Sequence, residues 1–149
     1  MLERQVRTEK ETGYVRYLEH PIDLRGPRID ELTTTSLFPE QCDYPDVADA
    51  LTKAVLKHEG SKGILICGTG IGMSIAANKV NGIRCALCHD HYTASMCRKH
   101  NDANVIAMGE RVIGIEVAKD ILDTYLGTDF EGGRHKTRVE KMMSLESKI

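Results

Sequence analysis

No run in this chain approaches the roughly 18 consecutive apolar residues that a bilayer-spanning helix needs, and the opening MLERQVRTEKETG has no apolar export-signal core. A cytoplasmic protein with no membrane partner is therefore expected. A basic excess is lacking too: 20 Lys and Arg stand against 22 Asp and Glu, a formal charge of −2, so there is no chain-wide positive field to draw nucleic acid. A small-molecule partner is favoured. The cysteines Cys42, Cys67, Cys85, Cys88 and Cys97 are an odd set without an export signal, which argues for free thiols rather than a disulfide framework. Internal repeats and low-complexity tracts are absent.

What is present is a regular alternation. At 149 residues the chain fits one domain that hides roughly 70% of its unfolded surface. DYPDVADALTKAVLKHEG carries Val47, Ala50, Leu51, Ala54 and Val55 at helical spacing, opening near Pro45 and closing at Gly60. KGILIC reads as a buried strand, and the glycine-rich loop after it leads into a helix over MSIAANK. GIRCALC and NVIAM read as strands separated by a helix over YTASMCRKH. Ile115, Ala118, Ile121, Leu122 and Tyr125 mark an amphipathic helix, and RHKTRVEKMMSLESK a charged terminal one. Strands alternating with helices imply an α/β fold whose parallel sheet is covered on both faces. Residues 1–42 differ: they are charged and threonine-rich, with YVRYL as a short strand candidate and three prolines breaking the rest. They are expected to form an atypical, poorly ordered segment, and residues 43–149 the domain proper, one domain in all.

The loop in LICGTGIGMSIAANK admits three readings, and spacing removes two. A dinucleotide fingerprint needs G-x-G-x-x-G, whereas Gly68, Gly70 and Gly72 give G-x-G-x-G with Met73 where the third glycine belongs. A Walker A loop needs Gly-Lys-Ser or Gly-Lys-Thr, which is absent. There remains a strand-to-helix turn whose N–H groups converge at the positive end of a helix, suited to an anion. A tight turn without a ligand is the plainer alternative. Cys67 ends the strand at that turn, where open α/β sheets bind ligands, making it a candidate base or nucleophile. The alternative for Cys67 is a small core hydrophobe.

CALCH, Cys85 to His89, matches the haem-attachment pattern, but that chemistry implies export. Residues i and i+3 of a strand also face opposite ways, so Cys85 and Cys88 are expected to pack on the two faces without metal or haem. His89 and His91 read as loop polarity. His100, in HNDAN, sits where a helix hands over to a strand among side chains able to orient an imidazole. Arg111, Arg134 and Arg138 are the candidate phosphate cations, the last two at i, i+4 after Gly132 and Gly133. An ordinary solvated helix surface is the alternative for that pair.

DYPDVA, GILICGTGIGMSIAANKVNGIR, HNDANVIAMGERVIG and FEGGRH together closely resemble the type B ribose-5-phosphate isomerases, a sugar-phosphate isomerase family that also includes galactose-6-phosphate isomerase subunits. The likeness covers residues 43–149. It implies a Rossmann-like three-layer sandwich with a mainly parallel sheet, and a homodimer or homotetramer whose sites borrow residues across the interface. The implied reaction interconverts ribose 5-phosphate and ribulose 5-phosphate through an enediolate, without metal or organic cofactor. By the same resemblance Cys67 moves the proton between C1 and C2, and the N–H groups over Gly68, Thr69, Gly70, Ile71 and Gly72 form the anion hole. His100 opens the furanose ring and Asn101 contacts the sugar. Tyr44, beside Asp43, lines the substrate, and Arg111 with Arg134 and Arg138 from the partner clamps the phosphate. His135 lies in the same GGRH turn. A six-carbon substrate such as allose or galactose 6-phosphate is the nearest alternative.

One departure stands out. The resemblance implies an opening strand ending in Gly-Cys-Asp-His or similar, whose Asp and His contact the ring and phosphate, and residues 1–42 hold no such segment. A shifted reading frame or a replaced amino terminus would account for it. The expectation is weak or absent turnover, or a phosphosugar-binding homologue, and a sheet that needs a substitute for its lost strand.

Overall fold

The computed structural model describes residues 14–17 and 43–148. The expectation of poor order over residues 1–42 lies outside the described residues, apart from a short strand, β1 (Tyr14–Tyr17). After it come α1 (Tyr44–Lys57), β2 (Gly63–Cys67), α2 (Ile71–Ala77), β3 (Cys85–Leu87), α3 (His91–Lys99), β4 (Val105–Gly109), α4 (Ile115–Gly127) and α5 (Arg134–Met143), closed by a 3₁₀ stretch over Ser144–Lys148. Among these residues no helix is long and apolar enough to cross a membrane.

The strands form one sheet in the order β1-β2-β4-β3. β2, β4 and β3 are parallel, with Gly63 opposite Val105 and Cys67 opposite Gly109, so the carboxyl ends of β2 and β4 finish level. β1 runs antiparallel along the free edge of β2, pairing Tyr14 with Ile66 and Tyr17 with Gly63. It meets the edge that the missing opening strand was expected to leave bare. The sheet is mainly parallel, as expected.

Period-2 alternation assigns the strand residues to two cores. Ile64, Ile106 and Met108 pack on one face with Ile121, Leu122, Tyr125 and Leu126 of α4 and Ala94 and Cys97 of α3. Leu65, Val105 and Ala107 pack on the other with Val47, Leu51 and Val55 of α1 and Met73 and Ala77 of α2. Two helical layers around one sheet give the three-layer sandwich. Local sequence sets the helix starts. Pro45 occupies the first turn of α1, where an N–H has no helical acceptor. Asp90 caps α3 by accepting from the Thr93 amide at 2.7 Å, in a reciprocal capping box.

Several boundaries differ from the periodicity. The helix expected over RHKTRVEKMMSLESK ends at Met143 and gives way to the 3₁₀ stretch over Ser144–Lys148. α2 starts at Ile71, two residues before MSIAANK, because the turn at Gly70 already delivers the chain into helix. β3 keeps only Cys85–Leu87 of GIRCALC. Side chains take over the backbone groups beside it: the Arg84 amide donates to Asn104 Oδ1, and Asn78 pairs with both the N–H and the carbonyl of Cys85, each bond at 2.8 Å.

Candidate active site

The glycine loop joins β2 to α2 at the carboxyl end of the sheet. Gly70 is the N-cap of α2 and adopts φ +77, a conformation that glycine alone takes cheaply. A Cβ there would lie 2.6 Å from Leu87 Cδ1 and 2.9 Å from the Met108 carbonyl carbon, so the backbone is pressed against β3 and β4. Gly109 is required by the reverse contact, since its Cβ would meet the Thr69 backbone at 2.7 Å. This tight approach lets the Gly70 N–H turn inward and donate to Cys67 Sγ at 3.2 Å. Cys67 itself is half-buried.

The surrounding residues come from both parallel strands. The Glu110 amide donates to the Cys67 carbonyl at 2.9 Å and the Arg111 amide to the Gly68 carbonyl at 3.1 Å, fastening the turn after β4 to the glycine loop. The Arg111 side chain then lies over Gly68, with Cδ, Nε and Cζ each 3.7 Å from where a Cβ would stand. On the other side the Tyr44 ring covers Gly72 and stays 48% exposed. Thr69 is exposed, and its Oγ1 accepts from the Ile71 amide at 3.2 Å. One thiol, one guanidinium, one phenol and a run of main-chain amides therefore converge on a rim open to solvent. Such a set can bind an anion and take a proton from carbon.

His100, Asn101, Arg134 and Arg138 are not on this rim. α3 runs back along the sheet, and His100 is its C-cap at the amino ends of the strands, where the Gly63 amide donates to the Asn104 carbonyl at 2.8 Å. The five residues of β2 put about 13 Å between that level and Cys67 by strand rise alone. At this lower end His100 stacks on His135, ring centroids 4.0 Å apart and planes 8° from parallel. His135 is buried, and burial followed by the charges of His100, Arg134 and Arg138 holds its pKa below the usual imidazole value, with Glu131 opposing. Arg134 and Arg138 stand exposed on α5. Asn101 lines a cavity of about 950 Å³ with Asn78, Arg84, Cys85, Met142 and Met143. The candidate residues thus form two groups at opposite ends of one sheet.

Three more cysteines fall outside both groups. Cys85 and Cys88 pack against opposite cores, as their spacing implies. Burial pushes the Cys85 thiol up to about 12. Cys88 lies 3.9 Å from Cys97, and that contact together with burial keeps it a thiol. Cys67, Cys85, Cys88 and Cys97 are all free thiols.

Sequence reasoning passed over Glu131, Asp102, Arg98 and Arg84. Glu131 places a carboxylate oxygen 3.7 Å from His135 Nε2, and one ligand atom each from His100, Glu131 and His135 lie within 4.8 Å of one another, a set able to hold a metal ion. Asp102 has φ 46, the one positive value at a non-glycine among the described residues. Its carboxylate accepts from Arg98 at 2.8 Å and Arg84 at 3.3 Å, and its carbonyl from Arg84 Nε and Nη2 at 3.0 and 2.8 Å. That clamp shapes the turn carrying His100 and Asn101. Its only sequence signal is the short polar run HNDAN, which marks a turn but not its partners.

The family model described as Ribose/Galactose Isomerase matches residues 9–142 of this chain. Ribose-5-phosphate isomerase B of Escherichia coli is 50% identical over 120 residues, covering 80% of this chain and 78% of that protein. A D-erythrulose-4-phosphate isomerase of Pectobacterium atrosepticum is 57% identical over 99 residues, 66% of this chain and 65% of that one. The solved structure of type B ribose 5-phosphate isomerase from Trypanosoma cruzi superposes with a TM-score of 0.70 at 52% identity, covering 74% of each chain.

Proposed function

The chain belongs to the ribose/galactose isomerase family, and on that premise we propose that it interconverts ribose 5-phosphate and ribulose 5-phosphate through an enediolate. Cys67 is the base in this reading. It takes the proton from C2 of the open aldose, the C1 oxygen gathers negative charge as the enediolate forms, and the proton returns at C1 while another passes from O2 to O1. The atoms balance without a cofactor. Main-chain N–H groups over Gly68, Thr69, Gly70, Ile71 and Gly72 form the anion hole in this reading; those of Gly70 and Ile71, which donate to Cys67 Sγ and Thr69 Oγ1 in the free chain, would turn to the developing oxyanion, a kind of donor worth about 3 kcal/mol each in comparable sites.

What carries the reading is the Gly70 N–H aimed at the Cys67 sulfur at the carboxyl end of β2, the edge at which open α/β sheets bind ligands. Arg111 supplies a phosphate cation on the same rim. In this reading His100 for ring opening, Asn101 for the sugar, and Arg134 and Arg138 for the phosphate reach that rim from a second copy, so the working unit is a homodimer or a homotetramer. A two-fold axis that brings one copy's lower end to the other's upper end completes two sites at once. All these residues belong to 43–149, the proposed catalytic domain.

Two specific observations keep a second reading. The family's description spans ribose and galactose substrates, and one relative is named for a four-carbon ketose phosphate, so the preferred sugar phosphate could be longer or shorter than a pentose. Residues 1–42 also lack the expected Asp-His segment, which favours reduced turnover. Rates on ribose 5-phosphate, allose 6-phosphate and erythrulose 4-phosphate, measured beside Cys67→Ala, test all of this. The proposal expects the pentose to be fastest and Cys67→Ala to lose at least about 100-fold. Equal rates for Cys67→Ala and the parent would remove Cys67 as the base.

A further inference from the structure

The lower end of the molecule carries a donor set of which the proposed isomerase chemistry uses only His100, leaving Glu131 and His135 without a role. Glu131 sits in the turn between α4 and α5, and its amide donates to the Lys99 carbonyl at 3.1 Å, which anchors the turn beside the end of α3. His100 follows Lys99 directly, and His135 lies in the first turn of α5. The result is two imidazoles and one carboxylate with ligand atoms within 4.8 Å of one another, drawn from three separate segments.

We propose that His100, Glu131 and His135 bind a divalent transition ion, Zn²⁺ above all, through three protein ligands with the fourth position left to water. Two nitrogen donors and one carboxylate match open zinc sites, whereas Mg²⁺ and Ca²⁺ call for oxygen ligands. The burial is graded: His135 is 6% exposed and fixed, His100 is half-buried, and the Glu131 side chain is 50% exposed and free to adjust. Parallel stacked rings aim their lone pairs in parallel, so one ion reaches both only after His100 turns out of the stack. Zinc–ligand bonds of about 2.0–2.2 Å also draw the three atoms closer than they stand. Arg134 and Arg138 oppose a dication, so the ion is held reversibly and a chelator removes it. A bound ion occupies the nitrogen with which His100 would move a proton. Inhibition of the isomerase follows, and this one consequence rests on the function proposed above.

The test uses the full chain stripped with EDTA. Calorimetric titration with ZnCl₂ is expected to show one Zn²⁺ per chain, weakened at least about tenfold in Glu131→Gln and in His135→Asn. Cobalt in place of zinc should give four-coordinate ligand-field absorption without a thiolate-to-metal charge-transfer band. Glu131 is exposed, so its variant folds even if His135→Asn does not. No saturable zinc binding, equal affinity in Glu131→Gln, or a thiolate band pointing to the cysteines would overturn the site. Binding is read without substrate, so an inactive chain leaves that result intact. Zinc that binds an active chain without inhibiting it would remove His100 from the ligand set.

Discussion

Gly70→Ala tests the packing that shapes the glycine loop. The new methyl would stand 2.6 Å from Leu87 Cδ1, which can swing aside, and 2.9 Å from the Met108 carbonyl carbon, which is strand backbone and cannot. The position also keeps φ at +77, where an L-residue costs about 1–2 kcal/mol, and overfilling adds about 1–3 kcal/mol, for a total of about 2–5 kcal/mol. Urea unfolding reads this directly: with a slope of about 2 kcal/mol per molar, the midpoint falls by about 1–2.5 M. Gly60→Ala is the control, since φ is +80 there but nothing lies within 4 Å, so only the conformational cost of about 1–2 kcal/mol remains. The loop would also pull its N–H away from Cys67, so turnover should drop in Gly70→Ala and hold in Gly60→Ala. Equal midpoints for the two variants would refute the claim that β3 and β4 press this turn into shape.

Asp102→Ala strips the carboxylate from between Arg98, which is 8% exposed, and Arg84, and should cost about 2–3 kcal/mol in thermal unfolding. Asp102→Gly should recover about 1 kcal/mol of that because φ 46 then carries no steric cost, and a glycine variant no better than alanine would argue against the strain. Lys62, half-buried with its ammonium 5.6 Å from the Tyr125 ring centre, has its pKa lowered to about 8, first by burial and then by Arg98. The unfolded chain holds that proton more tightly, so this group's cost to stability is full below about 8 and fades as pH rises toward 10.5. Carbon NMR of the lysine side chains should find one titrating near 8 that vanishes in Lys62→Met; a full set near 10.5 would contradict it.

The layers of the fold were legible because they follow from short-range pattern. Val105 to Met108 alternate between two apolar cores, and α4 buries Ile121, Leu122, Tyr125 and Leu126 along one stripe. The place of Cys67 is legible for a similar reason: closely spaced glycines directly after a short apolar run let the chain turn sharply at the strand end, through conformations such as φ +77 that other residues avoid. The length of β3 was not, since Asn78 and Asn104 replace its ladder with side-chain bonds that no periodicity encodes. The meeting of His100, Glu131 and His135 depends on how α3 and α5 close over the lower end, and the two histidines are 35 positions apart in the chain. Spacing in the chain carries no trace of such a meeting. The same holds for the division of the site: the motifs offer Cys67 and His100 as candidates, but only the direction of α3 shows that they leave opposite ends of the sheet.

That division yields the most direct test. If two copies share each site as proposed, Cys67→Ala and His100→Asn are each expected to be folded and almost inactive, since each would spoil both sites of its own dimer. When the two are unfolded together and reassembled at equal amounts, half of the dimers pair one of each, and every mixed dimer holds one intact site, so turnover should return to about one quarter of the parent value. A mixture that stays as inactive as its parents, with mixed dimers confirmed by mass, would mean that the thiol and the imidazole do not serve one site across two copies.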